Sequence, residues 1–359
     1  MHVFSVVGAR PQFIKAAPLS AALRRHHSEF LVHTGQHYDE DMSEVFFKQL
    51  GIAAPDVNLG VGSGGHAAQT AGMMIPLERL MLQQKPDWVL VYGDTNSTLA
   101  AAMAAAKVHL PVAHVEAGLR SYNRAMPEEI NRLLTDHLAS LLFCPTQVAV
   151  DNLAREGIQA GVSVTGDIMV DAVLRNVEAA RRESNIRQQL GIEPGQDYLA
   201  ATIHRPANTD SPSALGEIMA ALNAAPMTVI FPAHPRTRKM LDFYGLIPAD
   251  QVQIVNPLGY IDMLALVDGA AALITDSGGL QKEAYILETP CITARWETEW
   301  IETVNSGWNR LCATERGAIL QAVEMACGTS PATHPDFYGD GHAAEWMVIA
   351  LEAAYYKRG

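Results

Sequence analysis

An apolar strand, a glycine or polar loop and an alanine- and leucine-rich helical stretch follow one another repeatedly in the first half of this chain. The rhythm restarts after about Gly166. Strands are read at Val3 to Val7, Phe30 to His33, Trp88 to Tyr92, Val112 to Val115 and Leu141 to Cys144. Stretches such as Ala16 to Arg25 and Thr98 to Val108 carry helical composition between them, and strands joined by helices give a parallel, doubly wound sheet. A second set at Tyr198 to Thr202, Thr228 to Pro232, Val252 to Val255, Ala272 to Ile274 and Pro290 to Thr293 gives a second sheet of the same class. The 359 residues exceed what one core usually supports. The expectation is therefore an α/β protein of two doubly wound, Rossmann-like domains facing across a cleft. The first apolar pattern closes near Thr165, so the domains are drawn at 1–165 and 166–342. A last helix within 343–359, about Ala343 to Lys357, is left to pack back on the N-terminal domain.

Charge and composition exclude several classes of function. A net charge of -13, with Lys and Arg dispersed, is wrong for gripping a nucleic-acid backbone, though it leaves room for one small anion in a locally basic cleft. No apolar run is long enough to span a membrane, and MHVFSVVGA is too short for a secretory core, so no membrane insertion and a cytoplasmic location are expected. Cys144, Cys291, Cys312 and Cys327 lack zinc or CxxC spacing and are read as thiols in a reducing compartment.

Two strand-end loops suit phosphate. In Gly8-Ala9-Arg10-Pro11-Gln12-Phe13-Ile14-Lys15 the glycine permits close backbone approach, the helix start offers N–H groups, and Arg10 and Lys15 supply positive charge. The loop is not GxGxxG, so no nicotinamide cofactor is indicated. In Thr275-Asp276-Ser277-Gly278-Gly279-Leu280-Gln281-Lys282-Glu283, Ser277, Gly278 and Gly279 can turn N–H groups onto a diphosphate, and Glu283 can accept from two ribose hydroxyls. A surface loop in the first case and a capped glycine turn in the second are the plainer readings.

Three carboxylates stand at or just past strand ends of the first domain: Asp94 in YGDTNST, Glu116 in HVEAGLRS and Glu128 in MPEEINR. Loss of solvation there raises a carboxyl toward a useful proton-transfer range. Helix capping by Asp94 or Thr95 and pairing of Glu116 with Arg120 are the competing structural explanations. His204 and His234 follow second-domain strands, where a histidine reaches an α-phosphate or shares a proton with a leaving group. Metal-cage spacing is absent, and no metal or other cofactor is expected.

Together, in order, VYGDTNSTLA, HVEAGLRS, MPEEINR, TIHR, PAHPRTR and TDSGGLQKEA resemble the non-hydrolysing UDP-N-acetylglucosamine 2-epimerase family from GARPQFIK to YGDGHA. The resemblance implies a glycosyltransferase-B-like fold with UDP between two domains, a UDP-sugar substrate and a homodimer. It also implies elimination of UDP across C1 and C2, a bound 2-acetamidoglucal, and re-addition after protonation on the opposite face. Asp94, Glu116 and Glu128 match the family's catalytic acids, with Lys15 and His204 nearby; base and acid stay unassigned between Asp94 and Glu116. Arg10, Ser277, Gly278, Gly279 and Glu283 match its UDP positions, and Tyr260 lies where an aromatic ring or its backbone meets uracil.

Departures from the best-known branch point to a narrower substrate. Gln12-Phe13 replaces its Glu-Ala, HRPANTD its THRREN-like segment, and Trp296-Glu297-Thr298-Glu299-Trp300-Ile301-Glu302 its TTERPE-like stretch. These variants are similar to the branch that converts UDP-2,3-diacetamido-2,3-dideoxy-glucuronic acid to its mannuronic counterpart for surface polysaccharide. A carboxylated sugar wants an added cation, for which Arg124 and Arg205 are candidates; Arg124 also has Glu128 as a possible structural partner. Gln36-His37 continues as Tyr38-Asp39-Glu40-Asp41, acidic where the allosteric site of the best-known branch wants polar or basic contacts. A B-type glycosyltransferase and a non-catalytic UDP-sugar sensor share the fold and the glycine loop, but three acids on the first domain favour the epimerase.

Overall fold

A computed structural model describes residues 1–36, 51–328 and 331–358, with the side chain of Arg10 outside the description. Tyr38 to Asp41, on which the reading of an allosteric site turns, lie outside the described residues, as does His37.

The chain forms two contact units, 1–175 with 336–359, and 176–335. In the first, β1 (His2–Val7), β2 (Ser28–His33), β3 (Val57–Asn58), β4 (Trp88–Tyr92), β5 (Val112–Val115), β6 (Leu141–Cys144) and β7 (Val162–Val164) make one sheet of order β3-β2-β1-β4-β5-β6-β7. Every pairing is parallel. Runs such as Trp-Val-Leu-Val-Tyr in β4 are buried on both faces, as a sheet covered by helices requires. Phe4, Val6, Val89 and Val91 pack against Met73, Leu77 and the alanines 100 to 105 of the covering helices His66–Gln84 and Asn96–Lys107. Small alanines let the second of these helices sit close, against both the first and the helix Pro127–Leu138.

The second unit repeats the plan. Its strands β8 (Tyr198–Thr202), β9 (Thr228–Pro232), β10 (Val252–Val255), β11 (Ala272–Thr275), β12 (Cys291–Thr293) and β13 (Asn309–Leu311) run parallel in the order β10-β9-β8-β11-β12-β13. Leu199, Ala201, Val229, Phe231, Ile274 and Ile292 form its core with Ile218, Leu222, Ile319 and Val323 from two helices. The α/β class and the two parallel sheets agree with the sequence reading, and the read strands fall within a residue or two of the observed ones. The short strands β3, β7 and β13 were not read.

The unit boundary falls at Arg175, ten residues beyond the Thr165 read from sequence. Its cause is local. Past β7, the Asp167 N–H donates to the Tyr338 carbonyl at 2.7 Å, and the Asp171 carboxylate caps the last helix, Ala343–Tyr356, accepting from the N–H groups of Ala343 and Ala344 at 3.1 and 2.9 Å. These bonds hold the start of the helix Ile168–Glu183 in the first unit. The last helix lies in the same unit, against the helix Arg10–Leu23, with His27 Nε2 at 2.8 Å from Glu352.

Candidate active site

In the first sheet the strand order reverses between β1 and β4, and the loops leaving those strands stand at the edge where open α/β sheets bind ligands. Gln12 links the two loops. Its side-chain oxygen accepts from the N–H groups of Gly8 and Ala9 at 2.8 and 3.1 Å, while its amide donates to the Tyr92 carbonyl and Thr98 hydroxyl at 2.8 and 3.0 Å. The Gly8 and Ala9 N–H groups are therefore taken up by Gln12.

Lys15, on the same helix, forms an ion pair with Glu116 at the end of β5; both side chains are largely buried. The backbone of Glu116 sits at φ 71°, a region costly for a residue with a Cβ. The N–H groups of Glu116 and Ala117 both donate to the Phe143 carbonyl, at 3.1 and 3.0 Å, which holds that turn in place. Gly93 has φ 60°, and a Cβ on it would stand 3.3 Å from Lys15 Nζ and 3.4 Å from a Glu116 oxygen. A glycine is needed here for both reasons.

Asp94 follows directly. One carboxylate oxygen meets Arg132 at 2.5 Å, and its carbonyl accepts from the Asn131 amide at 2.9 Å. Thr95, not Asp94, caps the next helix. Arg132 also bridges to Glu129 at 2.9 Å. Glu129 accepts from the N–H groups of Ser121 and Tyr122, each at 2.9 Å. Burial pushes the Glu129 carboxyl up, but these donors with Arg132 and the Ser121 hydroxyl outweigh it and hold the group below its ordinary range.

The helix Pro127–Leu138 therefore faces the protein with its polar side. Glu129, Asn131, Arg132, Thr135 and Asp136 are buried, whereas Ile130, Leu134 and Leu138 are 45%, 46% and 36% exposed. Glu128, read as the third acid, is exposed and, among the described residues, makes no hydrogen bond or ion pair. Asp94 is half-buried and Glu116 buried; of the two glutamates at the start of this helix, Glu129 is the buried one. Arg124 is exposed and has no ion pair among the described residues, with Glu128 or otherwise.

The pairing of Glu116 with Arg120 is also corrected. Arg120 binds Asp136 at 2.7 Å and grips Glu156 with two nitrogens, each at 2.7 Å. Asp136 takes a second partner in His114, whose Nδ1 lies 2.7 Å away, while His114 Nε2 lies 2.8 Å from the Gly93 carbonyl. Burial raises the Asp136 carboxyl, and His114 and Arg120 more than reverse that, leaving it low. Sequence reasoning missed this network, whose members are scattered along a strand, a loop and two helices.

In the second sheet the order reverses between β8 and β11. The fully buried Asp276 accepts from the N–H groups of His204 and Arg205 and from the Asn208 amide at 2.9 to 3.1 Å, and it lies 3.1 Å from His204 Nδ1. Burial works against its charge, but His204 and the backbone donors win and keep its carboxyl low. His204 is half-exposed on this support. His234 instead caps the helix Pro235–Tyr244 through the Arg236 N–H, and burial with nearby His204 and Arg236 lowers it.

Ser277 caps the helix Gly278–Ile286. The first N–H groups of a helix, here those of Gly278 and Gly279, have no partner within it. A Cβ on Gly278 would lie 3.9 Å from an Arg205 nitrogen and 3.8 Å from Glu299, so Arg205 stands beside this helix start. Glu283 is buried one turn on. Tyr260, at the start of the helix Tyr260–Asp268, is 2% exposed.

A profile described as UDP-N-acetylglucosamine 2-epimerase matches residues 21–352. The chain belongs to the UDP-N-acetylglucosamine 2-epimerase family. It is an enzyme, a UDP-sugar 2-epimerase of that family. A UDP-2,3-diacetamido-2,3-dideoxy-D-glucuronate 2-epimerase of Pseudomonas aeruginosa is 44% identical over 98% of this chain and 99% of its own. A UDP-N-acetylglucosamine 2-epimerase homolog of Methanococcus maripaludis is 45% identical over 98% and 99%. The crystal structure of the Methanocaldococcus jannaschii UDP-GlcNAc 2-epimerase with UDP-GlcNAc and UDP superposes with a TM-score of 0.91 at 40% identity, over 98% of this chain and all of that one. Among the described residues no helix is long and apolar enough to cross a membrane.

Proposed function

We propose that the enzyme inverts C2 of UDP-2,3-diacetamido-2,3-dideoxy-glucuronic acid, yielding the mannuronic epimer for surface polysaccharide. The observation that supports the chemistry is that Asp94 follows Gly93, the residue whose added Cβ would crowd the Lys15–Glu116 pair, at the switch point of the first sheet. One of these carboxylates removes the C2 proton while the C1–O bond to UDP breaks, leaving a double bond between C1 and C2. UDP oxygen then bonds again to C1 as C2 takes a proton on its other face. Lys15 pairs with Glu116 and Arg132 with Asp94, so each carboxylate has a cation beside it.

The second unit holds the nucleotide in this reading. N–H groups of Gly278 and Gly279, the Ser277 hydroxyl and Arg205 take the diphosphate, Glu283 the ribose, and His204, oriented by Asp276, the departing phosphate. Arg10 is assigned to the phosphates on family resemblance alone. Glu128, solvated and without a partner, takes part through the sugar's hydroxyls rather than through a tuned proton.

Two features support the uronate. The Pseudomonas relative carries that name at 44% identity, and Arg124, on the loop after Glu116, is a cation with no ion-pair partner among the described residues. A second reading, UDP-N-acetylglucosamine as substrate, is favoured by the 40% identity to the archaeal epimerase solved with that sugar nucleotide. Steady-state kinetics with both substrates separate them. A kcat/KM at least tenfold higher for the uronate, reduced by Arg124→Ala, supports the first; an equal or higher value for UDP-N-acetylglucosamine overturns it.

A homodimer belongs to the same reading. The outward stripe of Ile130, Leu134 and Leu138 is the inverse of an ordinary surface helix and suits a second copy of the chain.

A further inference from the structure

Among the described residues, His114 in β5, 0% exposed, is a titratable side chain buried next to the carboxylates assigned to proton transfer. Its two ring nitrogens face acceptors. Nε2 is 2.8 Å from the carbonyl oxygen of Gly93, and Nδ1 is 2.7 Å from Asp136 Oδ1. A carbonyl oxygen never donates, and the Asp136 carboxylate already accepts from the Gly118 N–H at 3.1 Å and from Arg120 at 2.7 Å. The Gly93 contact is therefore made by a proton on Nε2. His114 and Arg120 share Asp136, and Arg120 also grips Glu156, so the Nδ1 edge of the ring is held in one connected network.

The carbonyl it holds matters. Gly93 precedes Asp94 and carries a left-handed turn beside the Lys15–Glu116 pair, where an added Cβ would stand 3.3 Å from Lys15 Nζ and 3.4 Å from a Glu116 oxygen. Rotation of the Gly93–Asp94 peptide would move the Asp94 carboxylate and press on the pair at once. The turn is fixed from three sides: by the Gly93 N–H donating to Val115 at 3.0 Å, by Asn131 holding the Asp94 carbonyl, and by His114.

We propose that His114 is a positioning residue that, by donating from Nε2 to the Gly93 carbonyl, fixes the peptide leading into Asp94. It touches no substrate and transfers no proton. The Asp136–Arg120–Glu156 chain anchors the other edge of the ring through Nδ1. This inference rests on the epimerase reading for its effect on rate, but its structural half stands apart from it.

The two amide substitutions divide the ring's contacts. Gln at 114 reaches as far as Nε2 and retains a donor for Gly93; Asn at 114 reaches only as far as Nδ1 and retains a donor for Asp136. His114→Asn should lower kcat about 100-fold with KM changed less than about threefold, the size of effect a displaced reacting group produces. His114→Gln should recover kcat to within about tenfold of the parent. Equal losses in the two variants, or a loss confined to KM, would overturn the positioning role. Independently of turnover and of variant folding, nitrogen NMR of the intact parent enzyme labelled in histidine should show the proton of the Gly93 contact on His114 Nε2. A ring with Nε2 unprotonated at neutral pH would overturn the proposal, while a correct spectrum from a parent without epimerase activity would overturn the functional reading alone.

Discussion

Lys15 and Glu116, 101 residues apart in sequence, form a buried ion pair, and Glu116 reaches it from a strained backbone turn. Replacing Glu116 by Gln removes a proton-transfer group and leaves the Lys15 ammonium without its counter-charge. We expect kcat to fall about 10³-fold, within the range for loss of a general acid or base. UDP affinity, assigned to the second unit, should change less than about twofold. Initial rates and titration calorimetry check both halves, and a large loss of UDP binding would move Glu116 out of its assigned role.

Gly93→Ala tests the turn beside that pair. At φ 60° the added methyl costs about 1 to 2 kcal/mol in backbone strain alone, and it crowds Lys15 Nζ at 3.3 Å. Denaturant unfolding should report that loss, and kcat should fall about tenfold or more; an unchanged kcat would show that this approach to the pair has no part in the chemistry.

How far the sequence revealed this arrangement depends on what kind of signal each part leaves. The sheets were legible because their strands are continuous apolar runs, such as Val89-Leu90-Val91-Tyr92, bounded by glycine or polar loops. Strand β3, two residues of which only Val57 is apolar, and β13, Asn-Arg-Leu, carry no such pattern. Asp94 and Glu116 were legible because an acid directly after a buried strand stands out. The different surroundings of Glu128 and Glu129 were not legible: adjacent glutamates on a helix point in different directions, and only the packing of Pro127–Leu138 with its polar face inward buries Glu129 and leaves Glu128 exposed. The partners of Arg120 were misread because a four-residue spacing suggested Glu116, whereas the chain turns at Gly118 and carries the guanidinium to Asp136 and Glu156.

Asp171 gives a pH test of the last helix. Burial raises its carboxyl from 3.8 to about 6, although two helix N–H groups and its own backbone pull the other way. With the folded value above the unfolded one, the native state holds the proton more tightly, so this group's stabilising contribution is full below about pH 4 and is lost as pH rises through about 6. Asp171→Asn stays neutral throughout. Thermal unfolding of parent and variant should therefore show the parent losing ground to the variant between about pH 4 and 6.5, and a difference independent of pH would mean the carboxyl is not raised.

The apolar stripe on the helix Pro127–Leu138 gives a test of assembly. Leu134→Glu puts a charge on a side chain that is 46% exposed in the single chain and contacts none of the assigned site residues. Light scattering should show the parent as a dimer and the variant as a monomer of unchanged fold. A monomeric parent would remove the proposed dimer.

The epimerase itself is tested most directly by turnover in deuterated buffer followed by proton NMR. Breaking and remaking the C2–H bond by carboxylates must bring solvent deuterium to C2 as the manno epimer appears, and Asp94→Asn should abolish both together. Epimer formed without deuterium would exclude proton abstraction by these acids. Failure of the parent enzyme to epimerise or exchange either the diacetamido uronate or UDP-N-acetylglucosamine, in protein that binds UDP, would overturn the reading of the site.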